Sequence, residues 1–74
     1  MLAAADFNKG LKASQSGDFE IALAEWTPLA EQGNAKAQFN LGLMYQSGRG
    51  VKQNDKTAFR WLELAGKQEL VHAQ

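Results

Sequence analysis

Several residue types that carry chemistry are absent or rare in this sequence. It has no cysteine, one histidine and one proline among 74 residues. Without cysteine the chain has no disulfide, no thiolate zinc site and no thiol nucleophile, and a single histidine argues against a histidine-based metal site. The sequence therefore predicts no metal site and no cofactor.

Long apolar runs are absent as well. After the initial methionine no apolar run is longer than four residues, as in Leu2 to Ala5, whereas a membrane-spanning helix needs about 18 or more. No basic segment precedes this run, and it continues directly into Asp6. We therefore expect no membrane span and no signal peptide in this sequence. The compartment stays open between cytoplasm and periplasm.

The charges cancel in sum but are separated along the chain. Eight Lys and Arg balance eight Asp and Glu, which argues against a nucleic-acid binder because such proteins are usually basic overall. Residues 18–33 carry four acidic and no basic side chains, and residues 34–67 carry six basic and two acidic ones. Lys52, Lys56 and Arg60 stand four apart, so they would lie along one face if Lys52 abuts a helix. This face is either plain solvated surface, a contact for an acidic partner, or the basis of an alternative function as a weak nucleic-acid-binding adaptor.

An internal repeat organises the chain. Residues match at an offset of 32 in the first half of each copy and 36 in the second half: Phe7 with Phe39, Gly10 with Gly42, Leu11 with Leu43, Ala22 with Ala58, and Trp26 with Leu62. The change of offset indicates a longer loop in the second copy. A period in the thirties is typical of helical solenoids.

Apolar residues at spacings of three and four predict four helices, and no window alternates as a half-buried strand would. We expect helices from about Ala3 to Gln15, after an Asp18 cap, after an Asn34 cap, and from Asp55, where Asp55 also acts as a cap. Gly48 stands where a helix C-terminal glycine is expected, and Gly48-Arg49-Gly50 is interpreted as a turn rather than a phosphate-binding loop. The fold class is therefore all-α.

Three features of these helices call for special packing. Pro28 removes one backbone hydrogen bond, so the second helix should kink there or restart with Thr27 as its cap. Gly42 lies in the middle of the third helix, where we expect close approach of a small residue, Ala58 or Ala22. The third helix is apolar on two sides, which predicts packing from both sides, as in stacked hairpins.

The second copy carries a recognisable pattern. The run from Ala35 to Tyr45 (AKAQFNLGLMY) and the SGRGV sequence from Ser47 to Val51 closely resemble a Sel1-like repeat, with Asp55 and Trp61 continuing the pattern. The first copy is similar to a degenerate, tetratricopeptide-like unit, in which Lys9 stands where Leu41 stands in the second copy. We assign repeat one to about 3–33, repeat two to about 34–68, and the opening of a third repeat to 69–74.

The resemblance implies a right-handed superhelix of antiparallel helix pairs that acts as an adaptor or scaffold without catalysis. By analogy, the first helix of each pair lines the concave surface, where a partner protein or peptide would bind. The residues that would face such a partner are Phe7, Leu11, Lys36, Phe39, Leu43 and Gln46, and Trp61 is added because no further hairpin covers it. For Phe39 and Leu43 the alternative is burial between the hairpins.

Catalytic alternatives find little support in the residues. His72 has no second histidine and no nearby cysteine or aspartate, and the serines lack an activating base. Asp18 and Asp55 precede helices, where capping is the simpler role. The chain is thus predicted not to be an enzyme, and an accessory domain of an enzyme is kept as an alternative. Because two repeats are fewer than solenoids usually need, we also expect either further repeats or a homodimer through the terminal hairpins.

Overall fold

A computed structural model describes the backbone of residues 4–73 and the side chains of residues 4–69. The described chain contains helices and no strand, so the all-α prediction is confirmed. The helices are α1 (Phe7–Gln15), α2 (Phe19–Glu31), α3 (Ala35–Ser47) and α4 (Asp55–Ala73). Each helix packs on the next one in the chain, and short connections between packed helices make neighbours antiparallel. The fold is two helical hairpins, α1–α2 and α3–α4, stacked through α2 and α3.

Polar side chains cap three of the four helices, and the sequence predicted one of these three caps, Asn34, correctly. Asp6, in an extended conformation, accepts hydrogen bonds from the backbone N–H groups of Asn8 and Lys9 at 2.9 and 3.2 Å. Helix α1 therefore begins at Phe7 rather than near Ala3, and Ala4 precedes the helix. Asp18 stands at the N-cap position of α2 but makes no side-chain capping bond.

The caps of the second hairpin are both asparagines. Asn34 accepts from the backbone N–H of Ala37 at 2.9 Å, as predicted. For α4 the capping oxygen belongs to Asn54, which accepts from the Thr57 N–H at 3.1 Å. Asp55 is the first residue of the helix, where its carboxylate still favours the positive end of the helix dipole. The prediction of Asp55 as the cap was wrong by one residue.

The connection between α3 and α4 is a turn, as the sequence predicted. Gly48 ends α3 in the left-handed conformation, with φ of 73°, and its N–H donates to the Met44 carbonyl at 2.8 Å. Gly50 also has a positive φ, and a Cβ there would lie 2.9 Å from the Phe19 Cβ. The Arg49 guanidinium stands over the Phe19 ring at 5.5 Å. The longer loop of the second copy is thus folded back onto the start of α2.

Helix α2 continues through Pro28 without a restart, so the expectation of Thr27 as a new cap was wrong. Proline lacks the N–H that would bond four residues back, and its ring crowds the carbonyl there, but packing stabilises the helix on both sides of it. Trp26 and Ala30 flank the proline, and both are buried in the core. Tertiary burial here outweighs the local penalty of the proline.

Helix α4 is longer than its counterpart α2 because it lacks a turn signal. The turn after α2 uses Gly33, with φ of 98°, followed by the Asn34 cap. At the offset of 36 these positions are Glu69 and Leu70, and neither residue type favours a left-handed turn or a cap. Residues 69–73, assigned from the sequence to the opening of a third repeat, are the last part of α4.

The core lies where the two hairpins meet. It is built from small residues around a few large ones, and its buried members are Ala13, Ala22, Trp26, Ala30, Ala37, Leu41 and Met44. Helix α3 contacts both α2 and α4, so it is packed from two sides as predicted, but Phe39 and Leu43 of its second apolar side stay exposed.

One buried polar group joins three helices. The Gln38 side chain, only 4% exposed, donates to the Ala30 carbonyl of α2 at 3.1 Å. Its oxygen accepts from Gln68 Nε2 of α4 at 2.8 Å, and the same nitrogen donates to the Gly33 carbonyl at 2.8 Å. A buried amide with satisfied partners fixes a specific arrangement of the helices around it.

Candidate functional groove

Each hairpin is closed by a glycine of its first helix against a large side chain of its second helix. A Cβ on Gly10 would lie 2.5 Å from Trp26 Nε1, and a Cβ on Gly42 would lie 2.7 Å from Leu62 Cγ. These two contacts are equivalent under the internal repeat. Close approach at Gly42 is confirmed, but the nearest neighbour is the large Leu62 side chain rather than a small residue. Of the two alanines expected there, Ala58 contributes its carbonyl oxygen at 3.2 Å from that Cβ position.

The two hairpins differ in how they cover the aromatic residue next to this contact. In the first hairpin the Phe7 and Trp26 rings are stacked with centroids 5.7 Å apart, and the indole N–H donates to the Phe7 carbonyl at 3.2 Å. In the second hairpin Phe39 takes the place of Phe7 and Leu62 the place of Trp26. Leucine has no ring to stack, and Phe39 stays 50% exposed.

An apolar groove of about 660 Å³ opens beside Phe39. Helix α3 forms its floor, and α1 and α4 form its walls. The lining residues are Phe7 and Leu11 from α1, Ala35, Lys36, Phe39 and Asn40 from α3, and Leu62, Ala65, Gly66 and Glu69 from α4. Its size falls in the range of ligand pockets, roughly 300–1,000 Å³.

The long α4 supplies the wall that the sequence did not predict. Leu62, Ala65, Gly66 and Glu69 follow one face of α4 at helical spacing. A turn at residues 68–70, like the one after α2, would have ended the helix before this wall was complete. Their helical spacing is visible in the sequence, but spacing alone does not show which surface this face of α4 borders.

The structure brings together four of the seven residues predicted for partner binding. Phe7, Leu11, Lys36 and Phe39 all line the groove. Leu43 lines a smaller neighbouring pocket that shares only Asn40 with the groove. The groove is therefore centred on the N-terminal half of α3.

The other two predicted residues lie away from the groove. Gln46 is exposed near the end of α3, where its backbone carbonyl accepts from Gln53 Nε2 at 3.0 Å. Trp61 is half-buried in a separate depression between α2 and α4, beside Tyr45 and Leu64.

Phe39 and Leu43 are exposed at 50% and 40%, so the alternative of burial between the hairpins is wrong for both. The stacking of the hairpins uses another face of α3, which carries Ala37, Leu41 and Met44. An apolar side chain on a helix is covered only if a neighbour reaches it, and here none does. Exposed large apolar side chains grouped in a concave surface mark an interaction site.

Opposite charges stand at the rim of the groove. Lys36 of α3 and Glu69 of α4 both line it and are both exposed. The salt bridges found among the described side chains are elsewhere, between Lys9 and Glu25 at 3.7 Å and between Lys67 and Glu63 at 3.9 Å. The two rim charges therefore face solvent.

The basic residues considered for nucleic acid do not form a helical row. Lys52 lies in the loop before α4, while Lys56 and Arg60 lie within the helix, and all three are exposed. The condition that Lys52 abuts the helix is thus not met, because Gln53 and Asn54 separate it from the helix start.

Among the described side chains, no group of three His, Asp or Glu residues is placed to hold a metal ion. Every buried side-chain nitrogen or oxygen in that part of the chain has a hydrogen-bond partner. The His72 side chain lies outside the described ones. Over the described helices, no segment combines the length and the apolar character needed to cross a bilayer.

The second hairpin carries the decisive sequence match. Residues 35–70, from the first residue of α3 to beyond the groove wall of α4, match the family model of the Sel1 repeat. These residues are a Sel1-like repeat. No curated protein and no solved structure matches the chain.

The family gives the groove its general context. Sel1 repeats generally mediate protein–protein interaction, and the family is typically non-catalytic. In this Sel1-like chain the matched residues contain the floor and one wall of the groove, and the first hairpin adds Phe7 and Leu11 as the other wall.

Proposed function

We propose that this Sel1-like chain is a non-catalytic adaptor that binds a segment of a partner protein in the groove between α1, α3 and α4. The observation that carries the proposal is the half-exposed Phe39 at the floor of an apolar groove of about 660 Å³. Burial of apolar surface is the main favourable term in most protein association. A partner segment that covers Phe39 and Leu11 would gain this term.

The shape of the groove favours a protein segment over a small metabolite. Both walls are helices, and the lining extends along α3 from Ala35 to Asn40, which is about one and a half turns. Of the ten lining residues only Lys36, Asn40 and Glu69 have polar side chains, and two of these three are exposed. A peptide laid along the groove would contact both hairpins together.

The chain offers a matched pair of aromatic residues for the test. Phe39 is 50% exposed in the groove, and Phe59 is 63% exposed on α4 outside it. Peptides that bind the wild-type chain are first selected from a displayed library. Their affinities are then measured by calorimetry for Phe39→Ser and Phe59→Ser, with circular dichroism as the check on folding.

We expect Phe39→Ser to weaken binding by about tenfold or more, as truncation of a central interface aromatic usually does. Phe59→Ser should change the affinity by less than about threefold, because it removes similar exposed apolar surface at another place. Equal effects of the two variants, or no effect of Phe39→Ser, would contradict the proposal.

Homodimer formation through the terminal hairpins stays a prediction. Trp61 is half-buried and Leu64 is 45% exposed in their separate depression. Light scattering over a range of concentrations tests it, and a mass that stays monomeric at every concentration would refute it.

A further inference from the structure

The two hairpins together indicate what kind of side chain the groove accepts. At the positions that the internal repeat makes equivalent, the α1–α2 hairpin has its own aromatic side chain where the second hairpin has the groove. Its Trp26 indole covers Gly10 and stacks on Phe7. The second hairpin has the glycine and the phenylalanine, Gly42 and Phe39, but Leu62 replaces the indole.

The missing indole leaves one aromatic face without a partner. Leu62 covers Gly42 as Trp26 covers Gly10, with its Cγ 2.7 Å from the position that a Cβ on Gly42 would take. It supplies no ring for Phe39, which is why that ring borders the groove and stays half-exposed. Aromatic pairs prefer stacked or edge-to-face contact and gain free energy beyond their buried area.

The charges around this position are also particular to the second hairpin. Lys36 and Glu69 line the groove, whereas the residues at the equivalent positions of the first copy are Ala4 and Gly33. An occupant with an acidic group toward Lys36 would therefore be complementary to the groove, and a basic group toward Glu69 would add to this.

We infer that the partner segment inserts an aromatic side chain, tryptophan above all, between Phe39 and Leu62, with an acidic group beside it that pairs with Lys36. The inference rests on the proposed function and specifies its ligand. The inserted ring takes the role that Trp26 plays toward Phe7 in the first hairpin.

Three small probes separate the parts of this inference. N-acetyltryptophan carries both the indole and a carboxylate, N-acetyltryptophan amide carries the indole alone, and N-acetylleucine amide carries neither. Each is titrated into the ¹⁵N-labelled chain, and the backbone amide shifts of Phe39 and Gly66 are followed. We expect both tryptophan probes to shift these amides at millimolar concentration and the leucine probe to bind more weakly.

Two variants test the two recognition elements. Phe39→Leu should weaken the binding of N-acetyltryptophan amide by about two- to tenfold, the range expected for loss of an aromatic pair. Phe59→Leu should leave the affinity for this probe unchanged. N-acetyltryptophan should bind about two- to fivefold tighter than its amide, and Lys36→Gln should abolish this advantage. Equal binding of the leucine and tryptophan amides overturns the inference, as does an unchanged affinity in Phe39→Leu.

A filled groove provides an independent check. Leu62→Trp restores the residue of the first hairpin, so its own indole should cover Phe39 and eliminate the shifts caused by the tryptophan probes. Persistence of these shifts in a folded Leu62→Trp variant would overturn the inference. If this variant does not fold, the Phe39→Leu comparison decides alone.

The two levels of the proposal fail in different ways. A selected peptide that depends on Phe39 but has no aromatic residue would refute the aromatic anchor and leave the adaptor function in place. A set of selected peptides none of which depends on Phe39 would refute the adaptor function of the groove itself.

Discussion

Two glycines in helix interiors provide the sharpest test of how the second hairpin is held together. Gly42 is buried in α3 against α4, and Gly66 is exposed in α4. Replacing either one by alanine removes the same unfavourable helix propensity, which costs about 1 kcal/mol at each glycine. The two substitutions differ only in what the added methyl group meets.

The structure gives the size of this difference. A Cβ on Gly42 would lie 2.7 and 2.8 Å from Leu62 Cγ and Cδ2 and 3.2 Å from the Ala58 carbonyl oxygen, whereas a Cβ on Gly66 has nothing within 4 Å. Overpacking of this kind costs about 1–3 kcal/mol. The Gly66→Ala variant should therefore be more stable than the wild-type chain by about 1 kcal/mol. Gly42→Ala should be less stable than Gly66→Ala by the whole overpacking cost, about 1–3 kcal/mol.

Thermal unfolding followed by circular dichroism measures both variants. For a domain of this size, 1 kcal/mol corresponds to about 4–8 °C in Tm, so the separation is well above experimental error. The double variant Gly42→Ala with Leu62→Ala tests the cause, because it removes the side chain that the new methyl group meets. The two substitutions should then be coupled, with Gly42→Ala costing less in the Leu62→Ala background. Equal stabilisation by Gly42→Ala and Gly66→Ala would refute the close approach of α3 and α4.

Two further predictions concern polar contacts. Gln38→Ala should lower the free energy of unfolding by about 1–3 kcal/mol, because it leaves buried hydrogen-bond partners unmet. Gln53→Ala removes a side-chain hydrogen bond that is exposed, so it should change this free energy by about 0.5 kcal/mol or less. Similar losses for the two variants in urea unfolding would contradict this prediction. Asp6→Ala should lower the free energy of unfolding by about 1 kcal/mol, because it removes a helix cap. Asp18→Ala removes no capping bond and should lower it clearly less. The reverse order of the two variants in thermal melts would show that the caps are assigned wrongly.

Local signals in the sequence were sufficient where one residue type controls a helix boundary. Asn34 and Gly48 stand at their predicted ends of α3 because a short polar side chain and a glycine satisfy the terminal backbone groups without help from the rest of the fold. Asp18 shows the limit of such reasoning. Its residue type and position suit a cap, yet Asp18 makes no capping bond.

The groove shows the same limit at the tertiary level. The resemblance to Sel1-like repeats placed Phe7, Leu11, Lys36 and Phe39 on the concave surface, with burial as the alternative for Phe39, and all four line the groove. It could not predict Glu69 as part of the far wall, because that depends on α4 continuing past the position of the earlier turn.

The sequence by itself determined the helical class, the two copies and the Sel1 pattern, because these follow from periodicity and from residue types at fixed spacing. Only the tertiary structure decided which apolar residues are covered. Coverage depends on the volume of the facing side chain, and Trp26 and Leu62 occupy equivalent positions with different volumes. That one difference accompanies a stacked Phe7 in the first hairpin and an exposed Phe39 in the second.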